Sequence, residues 1–301
     1  MSVRIRDFDA YYSSGDPYVE IRPVDTSQSY YSSLPTEKEV NDAFGISDVP
    51  VNVRLTFYNC TNMLAAPRLP DKASLDYSGG LARGIFYGCN KLKIAPKMPS
   101  IFTGDKTLRY AFRGCSSLLY GAVIPIVATD LYYMYYGCSS LKSPVSIPKN
   151  AANLYRAYYG CTNLTGEAII RSSPSSYSGM FYNTTKPITL YGDQAVCTTL
   201  ANTANNGNVS WSPWYDPVPA VTNRGQGSKT TAADMTRMVR NGALAVDTYA
   251  PGRMVYQQGD IVREDEWIAL VDAAKTIDPT ITLSTNYMNL NKIEAAFESA
   301  L

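Results

Sequence analysis

Five cysteines are the residues of this chain best placed to do chemistry, because they recur at one point of a repeated phrase. They are Cys60, Cys89, Cys115, Cys138 and Cys161; a sixth copy carries Thr184, and the steps are 29, 26, 23, 23 and 23 residues. Spacings this long exclude a C-x-x-C zinc or redox knuckle. The 301 residues include no histidine, which removes Cys-His and Ser-His-Asp catalysis, imidazole bases and His-containing metal sites. Thr184 at the sixth place argues for a small interior residue with a weak donor. Parallel neighbours about 4.8 Å apart leave a disulfide open on distance, but free, buried thiols are the expectation. Cys197 falls outside the register and has no explanation at this level.

Carboxylates are the remaining catalytic option. Asp105, Asp130 and Glu167 occupy different places in their repeats and define no glycosidase-like dyad. The run Glu264-Asp265-Glu266 reads most simply as the start of a helix, with a metal site as the alternative. The reading is of no catalytic residue, no cofactor and no metal. The residue before the anchor is Gly88, Gly114, Gly137 or Gly160, with Asn59 and Asn183 at the two ends. Glycine and asparagine tolerate φ > 0, so this place predicts a left-handed turn. No phosphate-loop sequence follows it.

Composition narrows the partners. Twenty-seven basic against 26 acidic residues, without a block of like charge, exclude nucleic acid held by bulk electrostatics. No apolar run approaches the length that inserts in a membrane. Tyrosine is abundant, 24 copies against 8 phenylalanines. Its ring is apolar while its hydroxyl still bonds, so tyrosines either fill the repeats or display contact area to a sugar or protein. Tyr87, Tyr132, Tyr133, Tyr136, Tyr155, Tyr159 and Tyr182 are the candidate binding surface.

The elements that must position these residues follow from the period. A repeat in the twenties predicts a solenoid, here an α/β array of about six rungs over residues 51–192. Three before the anchor stands an aromatic: Phe57, Phe86, Phe112, Tyr135, Tyr158 or Phe181. Three after it stands Met63, Leu92, Leu118, Leu141 or Leu164, with Pro187 in the last copy. Small or apolar residues seven and four places before it complete the buried run, and Leu69-Pro70, Met98-Pro99, Ile124-Pro125 and Ile147-Pro148 mark a corner.

Residues 1–50 lack the repeat. Two short strands around the Ser-Ser-Gly-Asp-Pro turn and a helix from Thr36 to Gly45 are expected, as a cap on the first rung or a docking arm. Residues 193–230 read as a closing cap with Val196 and Leu200, then a Pro/Gly-rich linker. Trp211 and Trp214 either form a sugar platform or pack the linker down.

Residues 231–301 read as a small α+β domain for assembly or attachment. A helix is expected from Thr231 or Asp234 to an Asn241-Gly242 stop, then strands over ALAVDTY and RMVYQQGDIV. A second helix covers 263–275 and buries Trp267, Leu270, Val271 and Ala274. Asn291 with Glu294 resembles a capping box for a last helix carrying Ile293, Phe297 and Leu301.

The phrase L-x-x-[AM]-[FY]-Y-G-C-[ST]-[NS]-L followed by an [IL]-P corner resembles the BspA-like leucine-rich repeat family. It is clearest in LYYMYYGCSSLKSPVSIP and LYRAYYGCTNLTGEAII. The likeness covers nearly half the chain and implies binding rather than catalysis, as in bacterial surface adhesins, protist surface proteins and virion proteins of gut-bacterial phages. The opening MSVRIRDFDAYYSSGDP lacks the apolar core of a secretory peptide. The expectation is a non-enzymatic phage virion component made in the host cytoplasm, docked to other virion proteins and presenting its repeats to a host-surface glycan or protein. A bacterial surface adhesin is the alternative, and a carbohydrate-active enzyme the third reading. The two apolar ends of a short array leave homo-oligomerisation open.

Overall fold

The computed structural model describes residues 51–52, 57–66, 69, 72–74, 84–98, 101–103, 107–214, 216–220, 225, 230–258, 260, 262–284 and 287–301. The expected cap or docking arm at 1–50 lies outside them, as does most of the 221–229 stretch of the expected linker. The described residues fall into two compact bodies that divide after Trp214.

In the first body, successive repeats pair in parallel. Strand β1 (Val51–Asn52) lies beside β2 (Lys72–Ser74), and β2 beside β3 (Ile101–Thr103). Farther along, β4 (Gly166–Ile170) pairs with β5 (Ile188–Gly192), and β5 with β6 (Val209–Trp211). Single parallel bridges join the repeats between, through Thr107, Asp130, Asn153 and Ser176 in one column and Ala65, Ile94 and Tyr120 in another. The strands are short because most of each repeat is turn, yet the turns themselves bond across. The amide of Phe112 donates to the Met134 carbonyl at 2.9 Å, Tyr135 to Ala157 at 2.8 Å and Tyr158 to Met180 at 2.9 Å. Pairing also runs past residue 192: helix α1 (Gln194–Ala201), capped by the Asp193 carboxylate on the Val196 amide, leads to β6, and Ile188 faces Val209.

The core of this body is built in columns. The aromatics three before the anchor stack face to face from Phe57 to Phe181, with centroids 5.2–5.6 Å apart and planes within 9°. Leu92, Leu118, Leu141 and Leu164 are all fully buried, whereas Pro187, at their place in the last repeat, is exposed. Two stacked rings are tyrosines for a reason. The Tyr158 hydroxyl accepts from the Val145 amide and donates to its carbonyl, both at 3.0 Å, and Tyr135 donates to the Ala122 carbonyl at 3.2 Å. Those two segments are irregular. Ala168, the equivalent residue below Phe181, sits inside β4, where the neighbouring strand supplies its partners, and phenylalanine suffices.

The second body contains three helices among its described residues: α2 (Ala232–Ala245), α3 (Glu264–Lys275) and α4 (Tyr287–Ala300). Thr231 and Asp234 close a reciprocal capping box on α2. The strands expected over ALAVDTY and RMVYQQGDIV are absent among the described residues. Gly242 does not stop α2; it lies inside the helix, and the Phe297 ring packs against it so closely that an added Cβ would lie 2.8 Å from Cζ. Ala243 to Ala245 remain helical. In 253–262 the backbone bonds to a helix side chain, with the Tyr256 amide on Thr236 Oγ1 at 2.9 Å, and the buried Arg253 reaches Glu266 and Asp260. Asn291 and Glu294 lie inside α4 rather than at its cap; Glu294 is buried and meets Arg237 at 2.9 Å. Ile293 and Phe297 are buried as the helical spacing predicts, but Leu301 lies beyond the helix and is exposed.

Candidate functional site

The anchor residues come first, since they suggested chemistry. Cys89, Cys115, Cys138 and Cys161 are fully buried, Cys60 is half-buried, and none is in a disulfide. Each buried thiol donates to the carbonyl of the aromatic in the preceding repeat: Cys89 to Phe57 at 2.9 Å, Cys115 to Phe86 at 3.1 Å, Cys138 to Phe112 at 3.0 Å and Cys161 to Tyr135 at 3.1 Å. Burial pushes the Cys89 thiol up to about 11 and raises the Cys115, Cys138 and Cys161 thiols as well. A thiol held protonated is neither nucleophile nor metal ligand. Thr184 breaks the series: its hydroxyl donates to Phe181 in its own turn at 2.8 Å and accepts from Asn208. Cys197 is buried on α1 beside Gly192 and is pushed up to about 12, again by burial first. Before the anchors, Gly88, Gly114, Gly137 and Gly160 have φ of 73–75°, and Asn59 and Asn183 have φ of 56° and 60°.

The carboxylates do not converge. Asp130 is held by Arg109 at 2.5 Å and accepts from the Tyr132 amide, Glu167 lies on β4, and Asp105 is outside the described residues. Asp265 and Glu266 are buried at the start of α3 against Arg253 and Arg263. Among the described residues no group of three or more acidic or cysteine side chains is placed to hold a metal, and no helix is long and apolar enough to cross a membrane.

The tyrosines do come together. The column two before the anchor runs Tyr58, Tyr87, Arg113, Tyr136, Tyr159, Tyr182; beside it, five before the anchor, run Tyr110, Tyr133, Arg156 and Gly179; beside that, six before, run Arg109, Tyr132, Tyr155 and Ser178. Rings touch within columns, as in Tyr136–Tyr159 at 4.7 Å and Tyr132–Tyr155 at 5.2 Å, and between them, as in Tyr133–Tyr136 at 4.9 Å. All seven candidate tyrosines belong to this lattice. Three arginines missed in the sequence reading complete it, Arg109 over the Tyr132 ring at 5.1 Å among them. The Arg113 guanidinium sits 4.9–5.5 Å from the rings of Tyr87, Tyr110, Tyr133 and Tyr136, and Arg156 lies over Tyr155 and Tyr159 at 5.2 Å while donating to the Tyr133 hydroxyl at 3.0 Å. The signal for Arg113 was present: it fills a tyrosine place in the repeat.

The middle column is strained. Tyr110, Tyr133 and Arg156 have φ of 56°, 55° and 52°, a left-handed conformation that costs a residue with a side chain about 1–2 kcal/mol. Glycine would avoid that cost, and Gly179 takes the same place in the last repeat with φ of 65°. The chain keeps three large side chains where the backbone favours none.

The rings' faces are occupied by their neighbours, so this surface offers edges, hydroxyls and guanidinium groups. The pattern ends where Ser178 and Gly179 replace the next ring layer. There the side chains leave an open groove of about 1090 Å³, walled by Tyr155, Arg156, Tyr159 and Tyr182 and by Thr199 and Asn202 from the end of α1. Tyr182, the last ring of its column, is 40% exposed. Trp214 instead stacks on Tyr191 at 6.3 Å with Arg171 against it, and Trp211 donates to the Gly192 carbonyl, so the two tryptophans pack separately rather than forming one platform.

No protein-family model matches the chain, and no curated protein does. Among solved structures it is similar to a leucine-rich repeat protein from Bacteroides ovatus, at 18% identity and a TM-score of 0.35, over 53% of this chain and 39% of that one.

Proposed function

We propose that this chain is a non-catalytic virion structural protein whose repeats, stacked as a short leucine-rich-repeat solenoid, present the Tyr/Arg lattice to a protein or glycan. One observation carries the binding role. Tyr110, Tyr133 and Arg156 are retained in a left-handed conformation on a surface where glycine would relieve strain, and strain of this kind persists where the side chain is needed. Enclosure of the anchor thiols and the salt-bridged position of Asp130 support binding over catalysis. The helical second body is the assembly module in this reading, joined to other virion proteins. The virion itself is inferred from the likeness of the repeat phrase to phage proteins. Mass spectrometry of purified particles tests it: the full-length chain is expected in particles, and a chain lacking 216–301 is expected to be lost from them. Detection in the host envelope and never in particles would overturn the proposal.

A further inference from the structure

We infer that the groove at the end of the Tyr/Arg lattice is a subsite for an acidic sugar, a hexuronate unit of an anionic polysaccharide. This deepens the binding reading above and rests on it. The groove exists because two columns stop together: Tyr132 and Tyr155 are followed by Ser178, and Tyr133 and Arg156 by Gly179. Successive repeats stack their rings at about 5 Å, so the next place in the stack is left open there. A ring-shaped ligand there continues the stack.

Three features select a uronate among rings. Arg156 faces the gap without a carboxylate partner among the described residues, and its fork suits a planar carboxylate. The side chains of Ser178, Thr199 and Asn202 line the space without a protein hydrogen bond among the described residues, a match to vicinal sugar hydroxyls. An aromatic side chain of a protein partner would leave those groups unpaired. Tyr182 presents an exposed ring against which the apolar side of a pyranose can lie.

Calorimetric titration of the full chain with a uronate tetramer, and with a neutral glucose tetramer, tests this. Saturable binding of the uronate is expected, at least tenfold weaker for Arg156→Gln and for the neutral sugar. Ser178→Tyr is expected to fill the gap and reduce binding by a similar factor; Tyr132 and Tyr155 already occupy its column, so an unchanged thermal transition verifies its fold. The inference falls if the wild type does not bind the uronate, if both tetramers bind equally, if Ser178→Tyr binds like the wild type, or if a tyrosine-containing peptide binds in its place. A chain found in particles that ignores the uronate refutes the subsite alone; one that binds it but is absent from particles refutes the virion assignment alone.

Discussion

Replacing Tyr158 by phenylalanine removes one oxygen from the core and nothing else. The ring stays between Tyr135 and Phe181, so its stacking and apolar burial are retained. What goes is the hydroxyl that serves both the amide and the carbonyl of Val145, a fully buried residue with no other backbone partner among the described residues. Each orphaned buried group costs about 1–3 kcal/mol. The Val145 segment is irregular and can relax in part, which sets the expectation at about 2–4 kcal/mol for the pair. Tyr135→Phe loses the bond to the Ala122 carbonyl at 3.2 Å and should cost at least about 1 kcal/mol. Urea unfolding should show the loss as a lower midpoint at unchanged m-value, and amide exchange at Val145 should accelerate far more than exchange in β5. If Tyr158→Phe unfolds within 0.5 kcal/mol of the wild type and Val145 remains protected, the hydroxyl is not the partner that its geometry suggests.

In native protein near neutral pH, a thiol reagent should modify Cys60 first and leave the five buried cysteines intact. Because burial raises their thiol pKa values, the folded state holds protons that the unfolded chain releases; stability should therefore be flat below about pH 9 and fall from there toward pH 11. Gly137→Ala should cost about 1–2 kcal/mol from φ alone, since an added Cβ meets nothing within 4 Å; Gly88→Ala should cost more, because its Cβ would strike Asn59 Oδ1. In the second body, Arg253→Met strips the buried Glu266 of an ion-pair and hydrogen-bond partner and should cost about 3–5 kcal/mol in thermal unfolding. Glu266 ionises against burial because Arg253 and Arg263 hold its pKa below normal, so the wild-type contribution should persist at neutral pH and vanish only as strong acid protonates it.

What could be read from the sequence is what obeys a local rule repeated several times. Glycine or asparagine before the anchor signals φ > 0, and leucine three places after it signals burial, because backbone sterics and apolar spacing act within one repeat. The lattice needed more. Tyrosine and arginine carry no sequence mark for a left-handed backbone, so the strain at Tyr110, Tyr133 and Arg156 was invisible, and Arg113, though it fills a tyrosine place in the repeat, gains its four ring contacts only when the repeats are stacked. The second body failed to read for a related reason. Phe297 packs on Gly242 inside the continuous α2, and Arg253 is buried against Glu266; neither partner lies in the short segment from which the local signal was read. Single-copy contacts between distant residues leave no periodic trace.

The direction of the thiol bonds has a consequence for how such a chain can change in length. From Cys115 to Cys161 each 23-residue step carries its own donor toward the preceding repeat and its own aromatic carbonyl for the next. A duplicated segment inserted there would arrive with both halves of the contact and could lengthen the stack without new compensating substitutions. Past Thr184 the rule stops, because its hydroxyl turns inward and Asn208 closes over it. History could thus stretch the middle of this molecule freely while its C-terminal seal stayed fixed, and each inserted repeat would move the uronate groove with the end of the stack.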